Sequence, residues 1–384
     1  MNTSRALVLL CLLGFLEACS QQPGYTTSGS NTGSTATPFG DTVAVALDAS
    51  GNLLIGGVTG DSNSQLPCSW KNGTFVGTLS VGTGNYAFSI GLGAVDASGD
   101  FFLSGAIGPT SDSMAPCYWE NESLTFLSLG TSSAGVASGV TISGSSIFFA
   151  GGVGVTTSSL VPCSWTGQTL TLLPLGTGNS YGEGIAISVD AKANVYVAGV
   201  VGTSSSAILP AVWTNGALTT LPVGPGNSYG SVTDVVVDAS GNVLISGFVG
   251  PSSAAVMPCS WLNGTLTILP MGGSATGAAY GVAIDGSGNV SLAGVVGSSS
   301  ATPVPGSWRN GTFSLLPPGP GNAYGSANDV TVDGAGNVFV VGNTASSASQ
   351  APCYWENGTL TILPQPPSQS LSVAPRGARR VRIR

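Results

Sequence analysis

Apolar residues along this chain come in short runs broken by Gly, Ser, Asn and Asp, with strand-like rather than helical spacing. Residues 229 to 276 carry the clearest copy of the pattern. Tyr229 and Gly230 open it, and Val232 to Val237 is a β-branched run that predicts a first strand. Asp238-Ala239-Ser240-Gly241-Asn242 follows as a tight turn, since Asp accepts hydrogen bonds from the backbone ahead of it and Gly tolerates positive φ. Val243 to Val249 predicts a second strand, and Gly250 to Val256 a small polar loop. Pro258 to Trp261 predicts a third strand, Asn263-Gly264 a two-residue hairpin of type I′, and Thr265 to Leu269 a fourth strand. Pro270 to Thr276 then crosses to the next unit.

The same outline starts at Phe39, Tyr86, near Ala134, Tyr181, near Ala279 and at Tyr324. The Asp-x-x-Gly-Asn turn recurs at Asp48, Asp285 and Asp333. Asp100 replaces Asn after Asp96, Ala193 replaces Gly after Asp190, and the third copy is shorter at Ser143 to Ser146. The Asn-Gly turn recurs at Asn72, Asn215, Asn310 and Asn357. All seven tryptophans fall at one place in the unit: Trp70, Trp119, Trp165, Trp213, Trp261, Trp308 and Trp355, spaced 46 to 49 residues apart. A fixed period of this length marks propellers, solenoids or arrays. Four antiparallel strands per unit, seven units and no helical period predict an all-β fold, a seven-bladed β-propeller of four-stranded antiparallel blades. No half-repeat stands at either end. Blade 7 is therefore expected to meet blade 1 by packing, with residues 20–38 or 365–375 placed to help.

Two stretches resemble known repeats. Pro-Cys-Tyr-Trp-Glu-Asn-Gly-Thr, at 352–359, resembles the Trp-x-Asn-Gly repeat of bacterial surface lipoprotein propellers. Gly-Val-Ala-Ile-Asp-x-x-Gly-Asn-Val, at 281–290, is similar to the first two strands of NHL-type and bacterial β-propeller repeats. The likeness covers nearly the whole mature chain. It implies the fold and names no ligand.

Charge divides the chain. Of nine Lys and Arg, five lie at Arg376, Arg379, Arg380, Arg382 and Arg384, and the ring holds only Lys71, Lys192 and Arg309 against sixteen acids. Nucleic-acid binding needs a basic footprint, so the ring does not supply it. The leader completes the layout. Arg5, the apolar run from Ala6 to Leu16 and Ala18 before Cys19 form a secretory signal too short to span a bilayer. Leu16-Glu17-Ala18-Cys19 resembles the bacterial lipobox, with Glu17 departing from its usual small residue. That resemblance implies acylation of Cys19, and Ser20 after it implies the outer membrane. The domains expected are a lipoprotein signal peptide at 1–18, the lipidated Cys and a flexible tether at 19–37, the propeller at 38–370 and a disordered basic tail at 371–384. The tether's Ser, Thr and Gly content gives it a reach of roughly 25 Å.

Chemistry is narrowed by what is missing. The chain has no His, which removes the commonest base near neutral pH, the commonest metal ligand and every Ser-His-Asp or Cys-His scheme. Sialidase-like chemistry needs several arginines where the ring has Arg309 alone. Cys68, Cys117, Cys163, Cys259 and Cys353 share one repeat position that Ala211 and Gly306 fill elsewhere. That pattern reads as a small buried slot beside the Trp, not a metal array or disulfides. The tryptophans read as blade packing rather than a sugar-stacking array. One Asp and one Asn per turn fall short of the oxygens calcium needs, so the turns read as caps. The sequons at Asn72, Asn121, Asn263, Asn310 and Asn357 are products of turn chemistry.

Topology puts the first–second and third–fourth turns on one face. The longer Ser/Gly/Thr loops and the crossings, with Tyr86, Tyr181, Tyr229, Tyr280 and Tyr324, fall on the other. Such a surface suits recognition, or simply fits crowded crossings. Asp41, Asp61, Asp112 and Glu183 break the repeat on that second face, as an acidic patch for a cation or basic partner, or as solubility charge. Glu120 and Glu122 lie on the opposite face. The expectation is an exported, monomeric, non-catalytic envelope lipoprotein. Its membrane contact is the acyl anchor alone, it carries no cofactor or metal, and its ring binds or scaffolds a protein or glycan. The alternatives are a hydrolase or lyase working through top-face carboxylates and a passive surface structural protein.

Overall fold

The two tight turns of each unit set where its strands end. In blade 5 the Asp238 carboxylate accepts the backbone N–H groups of Ser240 and Asn242 at 2.9 and 2.8 Å, and Gly241 takes a φ of 85°. Val237 then pairs with Val243 and the hairpin closes. Asn263 and Gly264 both take positive φ, 49° and 82°, the signature of a type I′ turn, and Leu262 pairs with Thr265 across it.

The computed structural model describes residues 38–61, 65–83, 85–110, 112–346 and 349–366. It shows seven four-stranded antiparallel sheets in a ring, a seven-bladed β-propeller. The blades run Pro38–Thr78, Tyr86–Phe126, Ala134–Leu172, Tyr181–Thr220, Tyr229–Ile268, Thr276–Leu315 and Tyr324–Ile362. First strands of neighbouring blades pack on one another and line the centre, and fourth strands form the outer edges. The signal peptide, Cys19, the tether and the basic tail lie outside the described residues.

Two boundaries differ from the pattern reading. The small polar segment after Val249 is largely strand, because Ser252 pairs with Ala255 and shrinks the loop to a two-residue turn. Blade 6 starts at Thr276 rather than near Ala279, as small residues there pair as readily as the larger ones elsewhere.

Side-chain bonds confirm the two faces. In every blade but the third, which turns through Gly167, the turn Asn of the third–fourth hairpin reaches the first–second turn of its own blade: Asn263 Nδ2 donates to Asn242 Oδ1 at 2.9 Å, and Asn72 Nδ2 to Asn52 Oδ1 at 2.8 Å. On the opposite face the crossings are tied to the ends of second strands, as in Ser228 N–H to Gly250 O at 3.0 Å.

Every tryptophan is fully buried against the preceding blade. Trp119 packs with Ala44, Leu54 and Leu79 of blade 1, and Trp70 with Val341 and Leu363 of blade 7. Six also donate the indole N–H to a carbonyl in the preceding crossing, including Trp119 to Ser80, Trp165 to Ser128 and Trp213 to Pro174, at 2.7 to 2.8 Å, and Trp70 donates to Pro364, just past the last strand of blade 7. The expected packing role is therefore joined by a directional bond at every blade interface. The five ring cysteines are buried free thiols beside these rings, as the slot reading requires.

The inner strands each carry a register break. In blades 1, 3, 4, 5, 6 and 7 one residue stands unpaired, at Val43, Ser138, Ile185, Thr233, Tyr280 and Asn328, and blade 2 has two breaks. A bulge bends the strand and re-aims its side chains. Opposite each bulge the second strand has a glycine, Gly57, Gly105, Gly151, Gly199, Gly247, Gly294 or Gly342, because a Cβ there would run into the inner strand's carbonyl.

No strand is shared between the first and last blades. Side chains and packing close the ring: Thr42 Oγ1 donates to the carbonyls of Gly342 at 2.7 Å and Cys353 at 3.1 Å.

Candidate functional site

At two interfaces the bulge residue points a polar side chain toward the next blade and meets a buried acid. Ser138 Oγ, from blade 3, donates to Glu183 Oε1 of blade 4 at 2.8 Å, and Tyr181 Oη donates to Glu183 Oε2 at 3.3 Å. Asn328 of blade 7 occupies the position of Ser138 and donates to Asp41 Oδ1 of blade 1 at 2.9 Å. Asn343 Nδ2 donates to the same oxygen at 3.0 Å. Thr233, the matching residue of blade 5, donates instead to the Ala279 carbonyl of blade 6 at 2.8 Å.

One residue further along, two more carboxylates bridge blades through backbone. Asp234 accepts Val235 N–H at 2.7 Å and Val282 N–H of blade 6 at 3.0 Å. Asp329 accepts Val330 N–H at 2.8 Å and Val45 N–H of blade 1 at 2.9 Å. Both occupy the same repeat position and bind edge N–H groups of inner strands that no neighbouring strand pairs. The sequence reading missed them. Asp in a β-branched run, at Thr-Asp-Val and Asn-Asp-Val, was the available signal.

The four acids expected to form one patch are separated. Asp41 and Glu183 share a repeat position but sit in blades 1 and 4, buried inside inner strands rather than displayed on the second face. The reason is local: alternation turns this position into the blade interface, where an Asn or Ser of the preceding blade satisfies it. Asp112 is exposed in the second–third loop of blade 2, and Asp61 ends the second strand of blade 1, its side chain lying outside the described residues.

Burial dominates the electrostatics. It pushes the Asp41 and Glu183 carboxyls up to about 7, against smaller lowering from their amide and hydroxyl donors. Burial also raises Asp234 and Asp329, and the Asp234 charge raises Asp329 further. The turn acids behave oppositely: bonds from Asn52 hold Asp48 below the usual carboxylate range, and Asn242 does the same for Asp238. Lys71 and Arg309 add ion pairs to Asp48 at 3.8 Å and Asp285 at 3.3 Å. The turn carboxylates are thus occupied by caps. Among the described residues, no three His, Cys, Asp or Glu side chains converge on a metal position, and no helix is long and apolar enough to cross a membrane.

The crossing face is less aromatic than its sequence suggests. Tyr181, Tyr229 and Tyr280 are buried and Tyr324 is half-buried, while Tyr86 is 66% exposed. Tyr86 stands where Tyr181 and Tyr229 do, but in the blade whose inner strand has a second register break, between Ala87 and Ser89. Around it the loops offer Ser, Thr and Gly.

No protein-family model matches the chain, and no curated protein sequence does. Solved structures do. A puromycin-hydrolysing peptidase of Mycobacterium tuberculosis is similar with a TM-score of 0.51 and 10% identity, over 84% of this chain and 52% of that one. An ulvan lyase solved with -[GlcA(1-4)Rha3S]- is similar with a TM-score of 0.50 and 9% identity, over 83% of this chain and 94% of the lyase. The extracellular domain of a hybrid two-component system from B. thetaiotaomicron gives 0.47 and 12%, over 84% of this chain and 38% of that one. The chain thus spans about half of the peptidase and less of the two-component protein. At these identities the likeness is one of fold alone.

Proposed function

We propose that this ring is a non-catalytic binding or scaffolding module of the cell envelope, exported by its leader and held by an acyl group on Cys19. One observation carries this reading. The buried Asp41, Glu183 and Asp329 and the half-buried Asp234 all join blades, while the Tyr86 side chain, 66% exposed, and the hydroxyl-rich loops present the surface of the crossing face. A face of tyrosine and small polar groups suits a glycan or a protein surface through stacking and adaptable hydrogen bonds. The lyase of similar fold was solved with a saccharide, which makes glycans the first ligand class to screen.

The test is an array of envelope glycans and proteins probed with the full chain and its Tyr86→Ala variant. Binding that Tyr86→Ala weakens at least about tenfold, the loss of roughly 1.4 kcal/mol, supports the reading. Binding that is indifferent to Tyr86 moves the site off this face. Palmitate labelling that persists in Cys19→Ala removes the anchor.

A second reading, a hydrolase, is favoured by the Ser138–Glu183 contact, in which a half-buried hydroxyl meets a carboxyl titrating near neutrality. Turnover of an ester or glycoside panel that Ser138→Ala abolishes would establish it. The matching Asn328–Asp41 pair, which cannot do this chemistry, supports a structural role for the position instead.

A further inference from the structure

Six of the seven blade interfaces are spanned by a covalent crossing. The seventh, between blades 7 and 1, has neither a crossing nor a shared strand. Two of the three buried acids, Asp41 and Asp329, also lie at it, one on each side. Asp41 of blade 1 accepts from Asn328 and Asn343 of blade 7, and Asn328 Nδ2 donates on to the Thr42 carbonyl at 2.8 Å. Ser326 Oγ in turn donates to Asn328 Oδ1. Asp329 of blade 7 accepts from Val45 N–H of blade 1. We infer that this seam is a proton-operated clasp, closed while Asp41 and Asp329 are neutral and loosened when they ionise.

Among the described residues, the surroundings offer no counter-charge. Facing Asp41, the third strand of blade 7 brings the Cys353 thiol, and the inner strand of blade 7 carries Asp329 further along the seam, bound to Val45. The second strand of blade 7 brings only the neutral Asn343. The second strand of blade 1 has an acid only at its last residue, Asp61, three positions beyond the partner of Asp41, and the inner strand of blade 2 only Tyr86 at its start. Facing Asp329, the inner strand of blade 5 contributes Asp234, which repels it, and the inner strand of blade 6 has only Tyr280. Arg309 ends the third strand of blade 6, where it is bound to Asp285 on the turn face. Lys71 and Lys192 also lie on that face.

Ionising a buried carboxyl without a cation is costly, and the cost is relieved by letting water in. Opening the seam does this without unfolding a blade, since each blade keeps its own four strands. The Asp41 carboxyl, raised by burial to about 7, sets the range. Closure is favoured below the ordinary carboxylate value and weakens as pH rises through neutrality.

Hydrogen exchange of the full chain, read by mass spectrometry at pH 5 and 8.5 and corrected for intrinsic rates, tests this. Peptides covering 41–47 and 326–332 are expected to open about tenfold or more faster at pH 8.5. The inner strand of blade 2, which carries no carboxyl, serves as the internal reference and stays constant. Asp41→Asn keeps the acceptor oxygen and cannot ionise, so it shrinks the contrast at the seam. A seam that exchanges equally at both pH values overturns the clasp. So does a response shared evenly with blade 2, or one that Asp41→Asn leaves intact. If that variant does not fold, the wild-type comparison decides alone.

Discussion

Trp70 donates its indole N–H to the carbonyl of Pro364 at 2.8 Å, joining residues 294 positions apart. The other six tryptophans make the same bond to the crossing just before their own blade, so one device serves both the covalent interfaces and the seam. Trp70→Phe keeps most of the packing but leaves that carbonyl unpaired. It is expected to lower stability by about 2–3 kcal/mol in urea unfolding. Trp213→Phe, two interfaces away from any contact with it, is expected to cost a similar amount and to add to it independently. Marked non-additivity would show that the seam opens before the rest.

Stability as a whole is expected to peak on the acid side of neutral. Asp41 and Glu183 have raised values in the folded ring, so their contribution is complete below about 4 and is lost as pH climbs to about 7. Asp48, Asp190, Asp238, Asp285 and Asp333 are held low by their turn asparagines, so theirs is present above the ordinary carboxylate value and lost in stronger acid. Urea unfolding at pH 5 and 8 is expected to favour pH 5 by about 2–4 kcal/mol, from roughly 1.4 kcal/mol per unit of displacement. Greater stability at pH 8 would contradict the placement of the inner acids.

Gly199 sits opposite the bulge in blade 4, where an added Cβ would strike the Glu183 carbonyl and lie 2.9 Å from the Trp213 ring. Gly199→Ala is expected to cost about 3 kcal/mol or to prevent folding. Gly286, in the first–second turn of blade 6, has open space around it, and Gly286→Ala is expected to be neutral within about 0.5 kcal/mol. Thermal unfolding of the two variants checks the contrast.

The ring thiols offer a direct probe of the blade interfaces. Burial pushes all five up from the ordinary thiol value and hides them from solvent. A thiol reagent is expected to leave them untouched in the native ring and to modify all five in denaturant. Cys163→Ala is expected to cost under about 2 kcal/mol, because Ala211 already fills the same slot in blade 4. Rapid labelling of any ring cysteine in the native protein would contradict the burial.

Repetition made the fold legible. Tight turns and a fixed tryptophan announce themselves in every unit, so strand number, blade number and the two faces could be read from residues such as Asp238, Asn263 and Trp261. The inner acids could not be placed, because their surroundings come from the next blade: nothing near Asp41 in sequence indicates Asn328 and Asn343, which lie almost the whole ring away. The unpaired bulge residue was invisible for a similar reason, since Ser138, Thr233 and Asn328 share a position only once strand register is known. Tyr86 differs from Tyr229 through one extra residue in its strand, a change that hydrophobic spacing alone does not reveal.

Each blade starts and ends within its own stretch of chain. A unit can therefore be duplicated, lost or exchanged as a whole segment of the gene without splitting a sheet. The same property allows the first and last blades to be joined by a linker and the ring cut at any crossing, with the gap in the backbone moving to another interface. Rings whose first strand completes the last sheet cannot be rearranged so freely. A set of such rearranged chains would separate what the inner acids contribute from what continuity of the backbone contributes, interface by interface.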